Sequence, residues 1–393
     1  MSKKNNFETN AIRNQVKRSS FREHSSPVYL TSSFIFESQE QAKDLFDDKI
    51  SGNVYSRFSN PNMEELGNKL CEMEGAEEGI ITATGMSSVF LALSSFLKSG
   101  DHLVSTKALF GSTYQIITSI LPRWNIAHTF VDMNHEDEWE KAIQPNTKLL
   151  ILETPSNPGL DIVDLEKASK LAKKHGLILV VDNCFLTPYL QRPIEWGADI
   201  VIHSATKFID GQGRVLGGAI LGRKELMDEV RFFARHTGPA ISPFNAWVLS
   251  KSLETLSVRM DRHCDSALKL ATILANKIGE NKVRYPFLPS YKKYEIAKKQ
   301  MAQGGGIVSF ELDGGIQEAM KFCNSLQLLS LSSNLGDSRS IATHPATTTH
   351  SKLDPKERHD IGISDGLIRI SVGLENLDDI VHDVIQAIDQ CKN

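Results

Sequence analysis

The chain has no apolar run approaching the roughly 18 residues that a membrane-spanning helix needs, so it is not expected to cross a bilayer. It has little cysteine: Cys71, Cys184, Cys264, Cys323 and Cys391 are scattered, with no C-x-x-C spacing. That excludes a disulfide framework and reads as free thiols in a reducing cytoplasm. No metal-ligand spacing stands out. There is no excess of one charge: 44 Lys and Arg oppose 48 Asp and Glu, for a formal net charge of -4. Nucleic acid is therefore not expected as the main partner. The first residues, Met1 to Asn6, are polar and lead into no apolar segment, so a secretory signal is not expected. The two G-x-G triplets, at Gly211–Gly213 and Gly304–Gly306, do not complete G-x-G-x-x-G. A Rossmann-type nucleotide module is disfavoured accordingly.

What is present is an ordinary globular composition, 40% hydrophobic and 23% charged, over 393 residues. That length is too great for one core, so two domains are expected. Residues 1–50 read as an arm, with few periodic apolar positions. A polar arm that must be ordered usually packs on a neighbouring subunit. Residues 51–250 alternate strands and helices, which gives an α/β fold with a mostly parallel sheet and sites at its carboxyl edge. Strands are expected at 128–131, 148–153, 177–182, 200–203 and 218–221, and helices at 136–143, 164–175 and 225–236. Asn62, in Asn60-Pro61-Asn62, is the candidate cap of a helix running through Glu72. A long helix from Asn245 to about Lys277 leads into a smaller α/β domain, residues 251–393.

Three pieces organise the middle of the chain: Val180-Val181-Asp182-Asn183, Ile200-Val201-Ile202-His203 and Ser204-Ala205-Thr206-Lys207. The first two read as buried parallel strands whose carboxyl ends open into a site. A lysine just past a buried strand is costly unless its charge is managed. With a depressed pKa it is a candidate Schiff-base former. Pyridoxal phosphate needs such a lysine, and a carboxylate to keep its ring nitrogen protonated. Lys207 and Asp182 suit those two roles.

At these residues the chain resembles the fold-type I pyridoxal-phosphate enzymes of cysteine and methionine metabolism. That family includes cystathionine synthases and lyases, methionine γ-lyase and the homoserine-ester sulfhydrylases. The resemblance runs from about Thr9 to the C-terminus. It implies pyridoxal 5'-phosphate as cofactor, Lys207 as its covalent anchor and Asp182 at its ring nitrogen. It implies Gly85 and Met86, in Thr84-Gly85-Met86-Ser87, as backbone N–H donors to the phosphate, as a helix N-terminus allows. Ser204 and Thr206 are implied as hydroxyl donors to the same phosphate. Tyr55 and Arg57 are implied to reach the phosphate of a second subunit. Asn157 would donate to the phenolic oxygen, and Phe110 would stack on the ring. Arg369, inside an apolar strand, would bind the substrate α-carboxylate, beside Asn334. A buried arginine needs a carboxylate, its own or a ligand's.

The family usually stacks a tyrosine where this chain has Phe110, and its γ-lyases tend to carry cysteine where this chain has Ser112. Both differences count against a lyase. Asn334 and the Gly211-Gln-Gly213-Arg214 loop resemble the sulfhydrylase branch. That branch implies O-succinyl-homoserine and sulfide as substrates, homocysteine as product, and a cytoplasmic homotetramer of dimers that share active sites. A succinyl carboxylate needs a cation; Arg57, Arg214 and others are candidates.

Overall fold

The computed structural model describes residues 5–133 and 135–391. The first four residues of the expected arm and the last two of the expected C-terminal domain lie outside them. Seven strands make the larger sheet: β1 (Glu78–Thr82), β2 (His102–Thr106), β3 (Ala127–Val131), β4 (Thr147–Glu153), β5 (Ile178–Asp182), β6 (Ile200–His203) and β7 (Gly218–Gly222). Their order is β1-β7-β6-β5-β4-β2-β3. All pairings from β6 to β3 are parallel, while β7 runs antiparallel to both β6 and β1.

The central strands are almost wholly apolar because both faces of the sheet are covered. Leu149, Ile151, Val180, Ile200 and Ile202 pack to one side, with Ile116, Ile117 and Val230. Leu150, Leu152, Leu179, Val181 and Val201 pack to the other, with Leu165, Ala168 and Ala172. The period-2 alternation of a strand produces this split. It also places Glu153 and Asp182, one register pair across β4 and β5, on the same face at the carboxyl edge.

A second sheet has the order β10-β11-β12-β9-β8, with β8 (Val283–Arg284), β9 (Ile307–Glu311), β10 (Ser330–Leu331), β11 (Ile341–Thr343) and β12 (Leu367–Ser371). Helices Gly315–Ser325 and Leu377–Cys391 bury Phe322, Ile380, Val384 and Ile388 against it.

Three local expectations are corrected. Asn60, not Asn62, caps the helix Pro61–Glu74: its side chain accepts from the Asn62 N–H. Proline at the first helical position presets that start. Asn62 instead ties the arm down, accepting from Tyr29 N and donating to Pro27 O. The run from Asn245 is two helices, Pro243–Leu253 and Leu256–Ile278, broken at Glu254-Thr255. The segment 136–142 is a 3₁₀ helix rather than an α-helix. The arm itself holds two short helices, Phe7–Arg13 and Gln39–Phe46.

Candidate active site

The segments that follow the carboxyl ends of β2 and β6, with loops around the second sheet, line a cavity of about 630 Å³. Lys207, Thr206, Phe110, Arg214 and Asn334 line it, together with Lys107 and the segment Thr348–Leu353. Lys207 sits in a turn that begins where β6 ends, its N–H bonded to Ser204 O at 3.2 Å. Its Nζ donates to Asn334 Oδ1 at 2.8 Å. Burial holds the Lys207 pKa below the ordinary lysine value, and the nearby Arg369 charge adds to that. Desolvation disfavours the ammonium, so the neutral amine is nearer to hand than on a free lysine.

The loop that supplies Asn334 reaches Lys207 because Gly336 takes φ +74 and lies against its backbone. A Cβ there would stand 2.5 Å from Phe208 N and 2.9 Å from the Lys207 carbonyl carbon. Only glycine fits both the dihedral and the gap.

Asp182 ends β5 half-buried, and its Oδ1 accepts the Cys184 N–H at 3.0 Å. Burial pushes its pKa up to about 6; the Cys184 N–H and His203 oppose the rise. Beside it, Glu153 accepts the Phe110 N–H at 2.7 Å. Burial first, and the Asp182 charge second, drive the Glu153 pKa well above the carboxylate range. Two carboxyls on one edge do not both ionise readily.

Gly85 opens the helix Gly85–Ser94, with the Thr84 side chain accepting from the Ser87 N–H. A Cβ on Gly85 would stand 2.6 Å from Ser204 Cβ. The helix N-terminus is thus set directly against the Ser204–Lys207 turn. Thr206 Oγ1 is engaged with Gly217, donating to its carbonyl and accepting its N–H.

Arg369 is 1% exposed. Its Nη1 donates to Asn157 Oδ1 at 2.9 Å, and its Nη2 to Asn334 O at 3.1 Å and Thr343 Oγ1 at 3.3 Å. Its Nε is buried without a partner. Among the described residues it makes no ion pair, and burial lowers its pKa to about 10. The guanidinium is hydrogen-bonded only to neutral groups and keeps a spare donor.

Tyr55 and Arg57 do not join this group. Neither lines the cavity of their own chain. Arg57 stacks on Phe58 and donates to Arg235 O, while Tyr55 is 42% exposed. Glu153 was not singled out from sequence as a site residue, although a glutamate ending an apolar strand was visible there. Among the described residues no group of His, Cys, Asp or Glu could hold a metal. No helix among them is long and apolar enough to cross a membrane.

A model of the family described as Cys/Met metabolism PLP-dependent enzyme matches residues 8–389. The chain belongs to that family. It is 42% identical to the O-succinylhomoserine sulfhydrylase of Pseudomonas aeruginosa over 97% of this chain and 95% of that one. It is 40% identical to the L-methionine gamma-lyase of Porphyromonas gingivalis over 98% and 97%. A crystal structure of a putative O-acetylhomoserine (thiol)-lyase from Campylobacter jejuni superposes with TM-score 0.93 at 35% identity, covering 98% of this chain and 100% of that chain. That protein carries N'-pyridoxyl-lysine-5'-monophosphate. The fold is accordingly that of these pyridoxal-phosphate enzymes, and the chain is an enzyme with pyridoxal 5'-phosphate as cofactor. Its chemistry is the γ-elimination and replacement chemistry of sulfur amino acids.

Proposed function

We propose that the enzyme exchanges the succinyloxy group of O-succinyl-L-homoserine for sulfide, giving L-homocysteine and succinate. One observation supports this most: four cations (Lys107, Lys207, Arg214 and Lys352) line the cavity and no carboxylate does. A substrate with an anion at each end suits such a wall. Phe110 and Ser112 argue for replacement over lyase activity, as does likeness to sulfhydrylases at 42 to 44% identity.

The residues present fit the cofactor. Gly85 lets its helix N-terminus pack directly against the Ser204–Lys207 turn, so the first-turn N–H groups, Ser204 and Thr206 fall in one place. In this reading these residues and the Met86 N–H hold the phosphate, Asp182 faces the ring nitrogen, Asn157 faces the phenolic oxygen and Phe110 covers the ring. Tyr55 and Arg57 act on the phosphate of a second copy, which makes the working unit at least a dimer, within a tetramer. Domains 51–250 and 251–393 would then close on each site. Bound pyridoxal phosphate supplies an electron sink beside Cα.

The chain does the rest. Lys207 anchors the cofactor, yields to the substrate amine, and then moves protons at Cα and Cβ as a free amine. Its depressed pKa makes that amine available. Arg369 binds the α-carboxylate and, with Asn334, orients the Cα–H bond. The Cγ–O bond breaks with its electron pair leaving on succinate. Sulfide forms the new Cγ–S bond, and Lys207 returns the protons.

The test offers O-succinyl- and O-acetyl-homoserine with sulfide and with cysteine, and methionine alone, and compares kcat/KM. Highest efficiency with the succinyl ester and sulfide is expected. Higher efficiency in methionine breakdown would overturn the reading.

A further inference from the structure

We propose that Lys107 and Lys352 together seat the distal carboxylate of the acyl group, and so set the preference for a dicarboxylic over an acetic ester. This rests on the function proposed above and names its specificity determinants.

The argument is by charge and occupancy. Arg214 is spent: its Nε and Nη2 donate to Asp210 Oδ1 at 3.1 and 2.9 Å, and its N–H to Asp210 Oδ2 at 2.7 Å. Asp210 is fully buried and holds it in place. His350 adds no charge near neutral pH, since burial, helped by Arg369, lowers its pKa to about 4. Lys207 and Arg369 are committed to the cofactor aldehyde and the α-carboxylate. Lys107 and Lys352 remain. Among the described residues neither makes an ion pair, and neither side chain makes a hydrogen bond.

Their placement is on one stretch of wall. Lys107 immediately follows β2 and precedes Phe110. Lys352 lies in the turn segment Thr348–Leu353. The two segments touch: a Cβ on Gly111 would stand 3.6 Å from Thr349 O. In this reading Lys207, with Asn334 bonded to it, marks the amino-acid end of the cavity, and the two exposed cations form a rim for a second anion. An acetyl group offers that rim nothing. Two exposed ammonium groups in high dielectric each contribute weakly, so their effect lies in discrimination rather than in catalysis.

The experiment uses cofactor-loaded full-length enzyme and measures kcat and KM for both esters with sulfide. The variants are Lys107→Gln, Lys352→Gln and the double substitution, all at exposed positions that leave the fold intact. Each single change is expected to lower the succinyl-to-acetyl ratio of kcat/KM by about 2- to 5-fold, and the double by about 4- to 25-fold. The loss falls on KM for the succinyl ester, with kcat kept within about 2-fold. Raising the salt from 0.05 to 0.5 M should erode the wild-type ratio and not that of the double variant. Succinate alone, as an inhibitor, should bind more weakly to the double variant. If the wild type prefers the succinyl ester and the double variant keeps that ratio and its succinate affinity, this inference falls alone. If the wild type prefers the acetyl ester, the parent reading falls and takes this one with it.

Discussion

The floor of the cavity and its rim hold charge in opposite ways. On the floor, Lys207 lines the cavity half-buried, while Glu153 and Arg369, buried, and Asp182, half-buried, lie outside its lining; each has hydrogen-bond partners within the chain. On the rim, Lys107 and Lys352 are exposed and unpaired. Buried charge shifts its pKa and acquires reactivity; exposed charge steers. The floor should therefore govern whether anything reacts, and the rim which ester does.

Changes on the floor break that contrast most severely. Lys207→Ala should lower turnover by at least about 10⁴-fold and remove the visible absorbance of the loaded protein. Borohydride should then fail to tag the peptide that contains residue 207. Arg369→Lys keeps a positive charge but not the fork, and leaves Asn157 Oδ1 without its donor. It should raise KM for both esters alike by about 10²-fold, visible in steady-state kinetics. An effect on one ester only would move Arg369 from the floor to the rim. Gly85→Ala is smaller. The added Cβ collides with Ser204, so the helix must shift, costing about 1–3 kcal/mol. Thermal melting with and without pyridoxal phosphate should show a lower Tm and a weakened gain from the cofactor.

The contrast between floor and rim also marks what the sequence could reveal. The apolar runs ending in Asp182 and His203 were legible because a strand buried on both faces has no other composition. Lys207 and Arg369 were legible because charge inside such runs is costly. The apolar strand expected around Arg369 is observed as Leu367–Ser371. The rim was not legible. Lys107 and Lys352 are exposed lysines in loops, and only folding puts them on one wall. The choice among cations was open for the same reason: that Arg214 belongs to Asp210 follows from a turn across Gly211 and Gly213, both at positive φ. The Asn60 cap was missed by two residues, since Asn60 and Asn62 are equally good candidates on paper. Glu153 was passed over because a glutamate ending a strand usually faces water. Here it is buried, paired in register with Asp182 and bonded to the Phe110 N–H of the loop after β2.

The finest test concerns that Glu153–Asp182 edge. Burial and the Asp182 charge both favour the proton on Glu153, so glutamine is close to its working form. Glu153→Gln should leave kcat/KM within about 3-fold, whereas Glu153→Ala strands the Phe110 N–H and costs about 1–3 kcal/mol of stability. The sign of the pH effect follows from Asp182. Its pKa rises from 3.8 to about 6 on folding, so between those values the folded apoprotein binds more protons than the unfolded chain. Its stability must then fall as pH climbs from about 4 to 6. Chemical denaturation of the apoprotein across that range should show the steepest decline in the wild type, where Glu153 too keeps its proton on folding, and a shallower one both in Glu153→Gln and in Asp182→Asn. A Glu153→Gln variant that loses the decline would move the titrating proton to Glu153, and the ring-facing carboxylate would then have to be ionised by the cofactor itself.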